Sequence, residues 1–210
     1  MTIYKKTNFD QENRVLLLPT GVLTLLMLII FTAALRWMLP KDVDLYFLLT
    51  MAVIPLRFSE YVQDIPGGSL AQWSSLLTYV FVHGSLSHLI FNAASLMAFG
   101  GALEKRIGTF RFLLFFFICG ALAAASFILV HPHLYAPMIG ASGAIAGLLG
   151  GLIRIFFSVS EDKKENNLNF TLLHTPLLPL GAAVRDRRIL AVSLAFFLFN
   201  IATLFGIQDV

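Results

Sequence analysis

The chain has 210 residues, of which 58% are hydrophobic and 13% are charged, and its formal net charge is +3. A soluble domain usually carries about 25% charged residues, so this composition excludes an ordinary soluble fold and indicates an integral membrane protein. The positive charge does not indicate nucleic-acid binding, because the Lys and Arg residues stand in short clusters beside apolar runs, as topology signals do. The single cysteine, Cys119, excludes an intrachain disulfide.

Apolar runs predict an all-α, polytopic membrane helical bundle. We divide the chain into a cytoplasmic amino-terminal segment, residues 1–14, and a membrane domain, residues 15–210. A helix needs roughly 20 apolar residues to cross a hydrocarbon core of ~30 Å, so the run 45–55 is too short and is predicted to be re-entrant or interfacial. The residues between 57 and 73 are predicted to form a loop with a turn at Pro66-Gly67-Gly68. The five predicted spans are residues 15–35, 88–103 (ended by the charged triplet Glu104-Lys105-Arg106), 110–130, 142–157 and 189–207.

Charge counting sets the predicted topology. With five spans and a cytoplasmic amino terminus, twelve of the fifteen Lys and Arg residues fall on one side and three on the other. Cytoplasmic loops are enriched in Lys and Arg, so the twelve mark the cytoplasm. If residues 45–55 also crossed, every basic cluster from Lys105 onward would move outside. The five-span topology places His83, His88 and Ser142 together on the extracytoplasmic side.

Ser142 is the candidate nucleophile. It lies in Gly140-Ala141-Ser142-Gly143, where a polar loop becomes an apolar helix. A serine in the first turn of a helix stands beside unpaired backbone N–H groups and the positive end of the helix dipole, which favour a developing oxyanion. The flanking glycines permit a sharp entry turn. The alternatives for such a serine are a helix cap and a close-packing position in a membrane helix, and the tetrapeptide alone does not decide.

A stripe of glycines follows the serine. Gly143, Gly147 and Gly151 recur every four residues, so another helix can pack on this face at close range. Simple bundle packing explains the stripe as well as the seating of a helix that brings a base to Ser142.

His88 and Asn92 are four residues apart and therefore share one face of the second predicted span. Such groups are costly inside a membrane unless they are paired, which favours a functional site, with hydrogen bonding between helices as the alternative. We predict no metal, because the sequence has no His-Glu-x-x-His pattern and no carboxylate within this span. Asn200, in the last span, is predicted to be structural.

Three motifs together carry a family resemblance: HGSLSHLIFN from His83 to Asn92, GGALEKRIG from position 100 to 108, and GASGA from position 140 to 144. Over residues 15–210 the chain closely resembles rhomboid intramembrane serine proteases of the bacterial branch. The resemblance implies that Ser142 attacks the peptide carbonyl, that His88 and Asn92 help to form the oxyanion hole, and that His83 supports the site. It also implies transmembrane protein substrates, no cofactor or metal, and a bacterial inner membrane with the active site opening extracytoplasmically.

One part of the rhomboid pattern is missing from the sequence. Rhomboids take their general-base histidine from an Ala-His-x-x-Gly motif on a final membrane helix, and no such motif occurs up to Val210. We therefore expect a carboxy-terminally incomplete rhomboid with no general-base histidine, with little activity, and with the glycine stripe left uncovered. His131 and His133, in the loop before the serine, are the remaining candidates on that side of the membrane. The alternative function is a non-catalytic rhomboid-like pseudoprotease that binds membrane helices.

Overall fold

A computed structural model describes residues 18–59, 65–158 and 176–205, the last four by their backbone only. The predictions for residues 1–14 and for the end of the last span lie outside these residues. The described part is helical, with one isolated antiparallel bridge between Val53 and Met138. In chain order the helices are α1 (Thr20–Met38), α2 (Lys41–Met51), α3 (Leu56–Ser59), α4 (Gly68–Thr78), a 3-10 turn (Tyr79–Phe81), α5 (Leu86–Ile107, with a π-helical stretch at Leu96–Gly100), α6 (Thr109–Val130), α7 (Ser142–Phe156), α8 (Leu180–Ala183) and α9 (Arg187–Phe205).

Three of the described helices, α1, α5 and α6, are long and apolar enough to cross a membrane. They overlap the first three predicted spans, which confirms a membrane helical bundle. Helix α7 is apolar but has 15 residues. At 1.5 Å per residue it extends about 22 Å, so it is shorter than a crossing of the ~30 Å core requires. Helix α9 starts two residues before the predicted fifth span.

The segment between the first two spans is more helical than predicted. Helix α2 has 11 residues, too few to cross, in agreement with the interfacial prediction for 45–55. The prediction of a loop from 57 to 73 is wrong, because α3 and the first half of α4 lie there. The turn itself is where the sequence placed it, with Gly67 at φ 89°. Burial of Ala71 and Ser75 against the bundle explains why the polar segment after this turn becomes a helix.

Glu104 joins the second span to the first. The second span is predicted to end before Glu104, but α5 continues to Ile107, and the Glu104 side chain turns inward and is 3% exposed. Its two carboxyl oxygens accept the backbone N–H groups of Gly21 and Val22, each at 2.7 Å, in the first turn of α1. Oε1 also accepts the Thr109 hydroxyl at 2.7 Å. An acidic group thus satisfies N–H groups that a helix start leaves unpaired.

Helix α6 is apolar on all sides, but only one of its faces packs against the rest of the bundle. Phe112, Phe116, Gly120 and Ala124, spaced by four residues, face the bundle and are buried. The opposite face exposes large apolar side chains such as Leu122, at 62%. Exposed apolar side chains of this kind are expected on a helix that lies against lipid.

The glycine stripe of α7 packs against α6. A Cβ atom on Gly143 would lie 2.6 Å from the Ala123 Cβ, and one on Gly147 would lie 2.6 Å from the Cys119 Cβ. The expectation of an uncovered stripe is therefore wrong. The covering helix brings a methyl group and a thiol to α7 rather than an imidazole, so the stripe serves close helix packing in the described structure.

We predict that Gly147→Ala lowers the free energy of unfolding by about 1–3 kcal/mol, because its methyl group would overlap Cys119. Thermal unfolding in detergent micelles measures the effect. Gly150→Ala is the matched control, since nothing lies within 4 Å of its added Cβ. The double variant Gly147→Ala/Cys119→Gly should regain most of the loss. Equal melting temperatures for the Gly147 and Gly150 variants would contradict the packing.

Candidate active site

Ser142 is the first residue of α7, and Ala141 occupies the N-cap position without a side-chain cap bond. Ser142 therefore does not serve as a helix cap, which removes one of the two structural alternatives. Its side chain is partly exposed, and no hydrogen bond joins its hydroxyl to another residue in the described ranges. The hydroxyl stands in the first turn, where backbone N–H groups lack helical partners.

Gly140 forms the entry turn to this helix. Its φ of +99° lies in the left-handed region, which favours glycine. A Cβ atom at this position would lie 2.6 Å from both Cε1 and Nε2 of the His88 ring. The imidazole of His88 therefore rests on the backbone two residues before Ser142, which brings together two of the predicted site residues.

His88 lies in the first turn of α5. The Ser85 hydroxyl, at the N-cap of that helix, accepts the His88 backbone N–H at 3.2 Å. Because His88 also contacts Gly140, the amino-terminal ends of α5 and α7 meet at this point. The positive ends of both helix dipoles thus act on the same small region, where they would stabilise negative charge.

Asn92 is fully buried one turn after His88. Its Nδ2 donates to the His88 carbonyl at 3.0 Å, and its Oδ1 has no hydrogen-bond partner in the described structure. In this arrangement the amide supports α5, as in the structural alternative for a polar residue in a membrane helix. A contact between the amide nitrogen and an oxyanion requires rotation of the side chain.

His83 packs behind His88. The two rings meet edge to face with 5.0 Å between centroids, and the His83 Nδ1 lies 3.4 Å from the Phe81 carbonyl. Burial, with smaller contributions from the neighbouring His88 and Arg36, lowers the pKa of His83 to about 3, while the hydrogen bond to the Phe81 carbonyl opposes this shift. His83 is therefore neutral at physiological pH and fits a supporting position.

This burial predicts a pH dependence of stability. The unfolded chain takes up a proton at His83 near pH 6.5 and the folded chain only near pH 3, so stability is retained above pH 6.5 and falls as the pH drops. Between pH 6.5 and pH 5 the loss should reach about 2 kcal/mol. Thermal unfolding of the unmodified chain and of His83→Gln over this range measures it. Parallel pH profiles for the two proteins would contradict the assignment.

A cavity of about 260 Å³ opens beside Ser142, between α7 and α9. Its walls are mostly apolar, with Ser193 and Phe196 contributed by α9. Asn200 also lines it, and its Nδ2 donates to the Phe196 carbonyl at 2.7 Å within the same helix. Helix α9 reaches α5 as well, where Phe91 stacks on Phe199 with centroids 4.2 Å apart.

The loop between α6 and α7 carries the remaining described histidines. His131 and His133 are exposed, and the His131 ring packs on Phe127 with 5.5 Å between centroids. Within the described ranges no group of three or more His, Cys, Asp or Glu residues could hold a metal ion.

Tyr79 is a site residue that the sequence analysis missed. It is fully buried, its carbonyl accepts the Gly140 N–H at 2.9 Å, and its hydroxyl donates to the Gly120 carbonyl of α6 at 2.8 Å. The same hydroxyl lies 3.3 Å from where a Cβ of Gly143 would be. Tyr79 therefore holds the turn before Ser142 against α6. A lone Tyr in an apolar run gives no sequence signal for this role.

The fold and the site define a polytopic membrane protein with a partly exposed serine where two helix amino termini meet. The family model of the Rhomboid domain matches residues 70–207, more than half of the chain. The chain belongs to the rhomboid family, whose proteases are serine hydrolases.

Individual relatives agree with this family. The chain is 37% identical over 87 residues to Rhomboid protease GluP of Bacillus subtilis (strain 168), which covers 41% of this chain and 17% of that protein. It is 37% identical over 84 residues to Putative rhomboid protease YdcA of the same organism, covering 40% of this chain and 42% of that protein. Rhomboid-like protease 3 of Toxoplasma gondii is 31% identical over 104 residues, 48% of this chain and 39% of that protein. The matches span less than half the length of each of these relatives.

Proposed function

We propose that this protein is an intramembrane serine endopeptidase that cleaves transmembrane proteins with Ser142 as its nucleophile. The observation that carries the proposal is the contact of the His88 ring with Gly140, at the turn that leads directly into Ser142. A serine beside a neutral donor and two helix amino termini suits acyl transfer, in which negative charge develops on a carbonyl oxygen.

The chemistry proceeds in two halves. The Ser142 oxygen attacks the scissile carbonyl carbon while a general-base imidazole, for which His131 and His133 are the candidates that the sequence leaves on this side of the membrane, takes the hydroxyl proton. The oxyanion is stabilised by the Ser142 backbone N–H, by His88 and, after rotation, by Asn92. The C–N bond then breaks, the departing amine takes the proton, and an acyl ester remains on Ser142. Water hydrolyses the ester and restores the hydroxyl. His83, Gly140, Gly143 and Gly147 support the arrangement without touching the reacting atoms.

We further propose the topology and location of the reaction. The excess of Lys and Arg on one side supports a cytoplasmic amino-terminal segment, residues 1–14, before the membrane domain. It supports a site that opens to the extracytoplasmic side of a bacterial inner membrane. Matches to two Bacillus subtilis proteins support the bacterial location.

Cleavage of a model single-span substrate in proteoliposomes tests the proposal. Ser142→Ala should abolish cleavage while the protein remains folded. Ser126→Ala is the control, because Ser126 is an exposed serine on α6 whose hydroxyl bonds only to its own helix at Leu122. Continued cleavage by the Ser142→Ala variant would refute the nucleophile.

A second candidate is a non-catalytic protein that binds membrane helices. The observation that favours it is the placement of the His88 ring, which rests on the Gly140 backbone and packs on His83, since serine needs a base to become a strong nucleophile. Retention of a biotinylated transmembrane peptide by folded protein, with no cleavage and equal retention by Ser142→Ala, would favour this candidate.

A further inference from the structure

An ion pair at the end of the first span fixes a guanidinium near the candidate site. Arg36 lies in the last turn of α1, and Asp44 lies in the first turn of α2. The Arg36 Nε and Nη2 donate to the two carboxyl oxygens of Asp44 at 2.6 and 3.0 Å. The Arg36 and Asp44 side chains are 10% and 29% exposed. Two parallel bonds from a planar group hold one orientation, unlike a loose surface pair.

The remaining nitrogen of this guanidinium, Nη1, bonds to the backbone of a candidate site residue. Arg36 Nη1 donates to the His83 backbone carbonyl at 2.8 Å, 47 residues further along the chain. Because Asp44 fixes the plane of the guanidinium, it also fixes the direction of Nη1. The carbonyl so held belongs to the turn that leads into α5.

A continuous series of contacts runs from this carbonyl to the serine turn. The His83 ring packs edge to face on His88, and His88 rests on Gly140. Neither Arg36 nor Asp44 contacts Ser142 in this series. Their effect on the reaction must therefore pass through the placement of His83 and His88.

We propose that Arg36, oriented by Asp44, is a positioning residue that sets the placement of the His88 imidazole by holding the His83 carbonyl. The kinetic consequence rests on the proposed function, because it needs a reactive Ser142. The placement of the His88 ring by Arg36 does not rest on the proposed function. The competing explanation is that the ion pair only holds α1 against α2. In that case the opposite charges of residues 36 and 44 would matter, and the hydrogen bond from Arg36 Nη1 to the His83 carbonyl would not.

Three variants separate these explanations. Arg36→Gln removes the ion pair and the bond to His83. The exchange Arg36→Asp/Asp44→Arg restores opposite charges between α1 and α2, but it puts a carboxyl group, which cannot donate as a carboxylate, opposite the His83 carbonyl. Asp42→Asn is the matched control, because Asp42 is an exposed acid in the same turn of α2 with no bond to Arg36.

The readout is the imidazole nitrogen NMR spectrum of the full chain, labelled with ¹⁵N-histidine in micelles, together with the rate at which a fluorophosphonate labels Ser142. We expect Arg36→Gln to move the His83 and His88 resonances and to slow labelling about tenfold. The charge exchange should recover the melting temperature but neither the resonances nor the rate, and Asp42→Asn should match the unmodified chain.

Unchanged His88 resonances in Arg36→Gln, or full recovery of them in the charge exchange, would overturn the positioning role. If the unmodified chain is not labelled at all, the proposed function fails. The NMR comparison then still decides whether Arg36 positions His88.

Discussion

Replacing Gly140 by alanine should slow fluorophosphonate labelling of Ser142 by about 100-fold or more, as loss of an oxyanion-hole donor does elsewhere. The added methyl group would lie 2.6 Å from Cε1 and Nε2 of His88, so the ring must leave its place. The φ of +99° adds backbone strain for any residue with a Cβ. The labelling rate, measured beside the melting temperature in the same micelles, gives the result.

Gly84→Ala is the control for Gly140→Ala. It lies in the turn before α5, it has no positive φ, and its added Cβ would meet only the Ile139 Cδ1 at 3.4 Å. We expect its labelling rate to remain within about threefold of the unmodified chain, because such a contact needs only a small adjustment. Equal rates for the Gly140 and Gly84 variants would show that His88 does not depend on the turn before Ser142.

Replacing Glu104 by alanine should lower the free energy of unfolding by about 3–5 kcal/mol, because two buried backbone N–H donors and the part-buried Thr109 hydroxyl would each lose their acceptor. Two of them are the Gly21 and Val22 N–H groups at the start of α1, where a membrane protein has few alternatives for pairing. Thermal or denaturant unfolding in micelles measures the loss. Because Glu104 joins α1 to α5, we expect its loss to destabilise the whole helical bundle.

Two graded variants test whether the loss follows the hydrogen bonds. Glu104→Gln keeps one oxygen acceptor and should lose less than Glu104→Ala. Thr109→Val removes a single bond and should cost about 1 kcal/mol. If Glu104→Ala unfolds at the temperature of the unmodified chain, the capping of α1 contributes nothing to stability.

The sequence predicted the parts of this fold that depend on local composition. Apolar runs placed α1, α5 and α6, and the turn at Gly67 fell where expected. Hydropathy ended the second span at Glu104, because a charged residue beside Lys105 is typical of the end of a span, and it could not show that the side chain is buried against partners more than eighty residues away in the chain. The hydrogen-bond partners of Glu104 are N–H groups in the first turn of α1, and only the folded structure brings them beside its side chain.

The candidate site was predictable to a similar extent. Ser142 and His88 could be selected because the serine motif occurs together with the motif from His83 to Asn92, as in rhomboid proteases, and the structure brings His88 to the turn before the serine. Tyr79 and Arg36 gave no such signal, because each acts through a backbone carbonyl or N–H group whose position depends on tertiary packing. The glycine stripe correctly indicated a close helix partner, but its period could not identify that partner as α6.

Mass spectrometric mapping of the fluorophosphonate adduct tests the central claim, that Ser142 is a reactive nucleophile, most directly. In contrast to the little activity expected from the missing Ala-His-x-x-Gly motif, we predict that the full chain in native membranes carries one adduct, on the peptide that contains Ser142, and that Ser142→Ala carries none. An adduct on a different serine, or a folded chain that remains unlabelled at Ser142, would contradict the account.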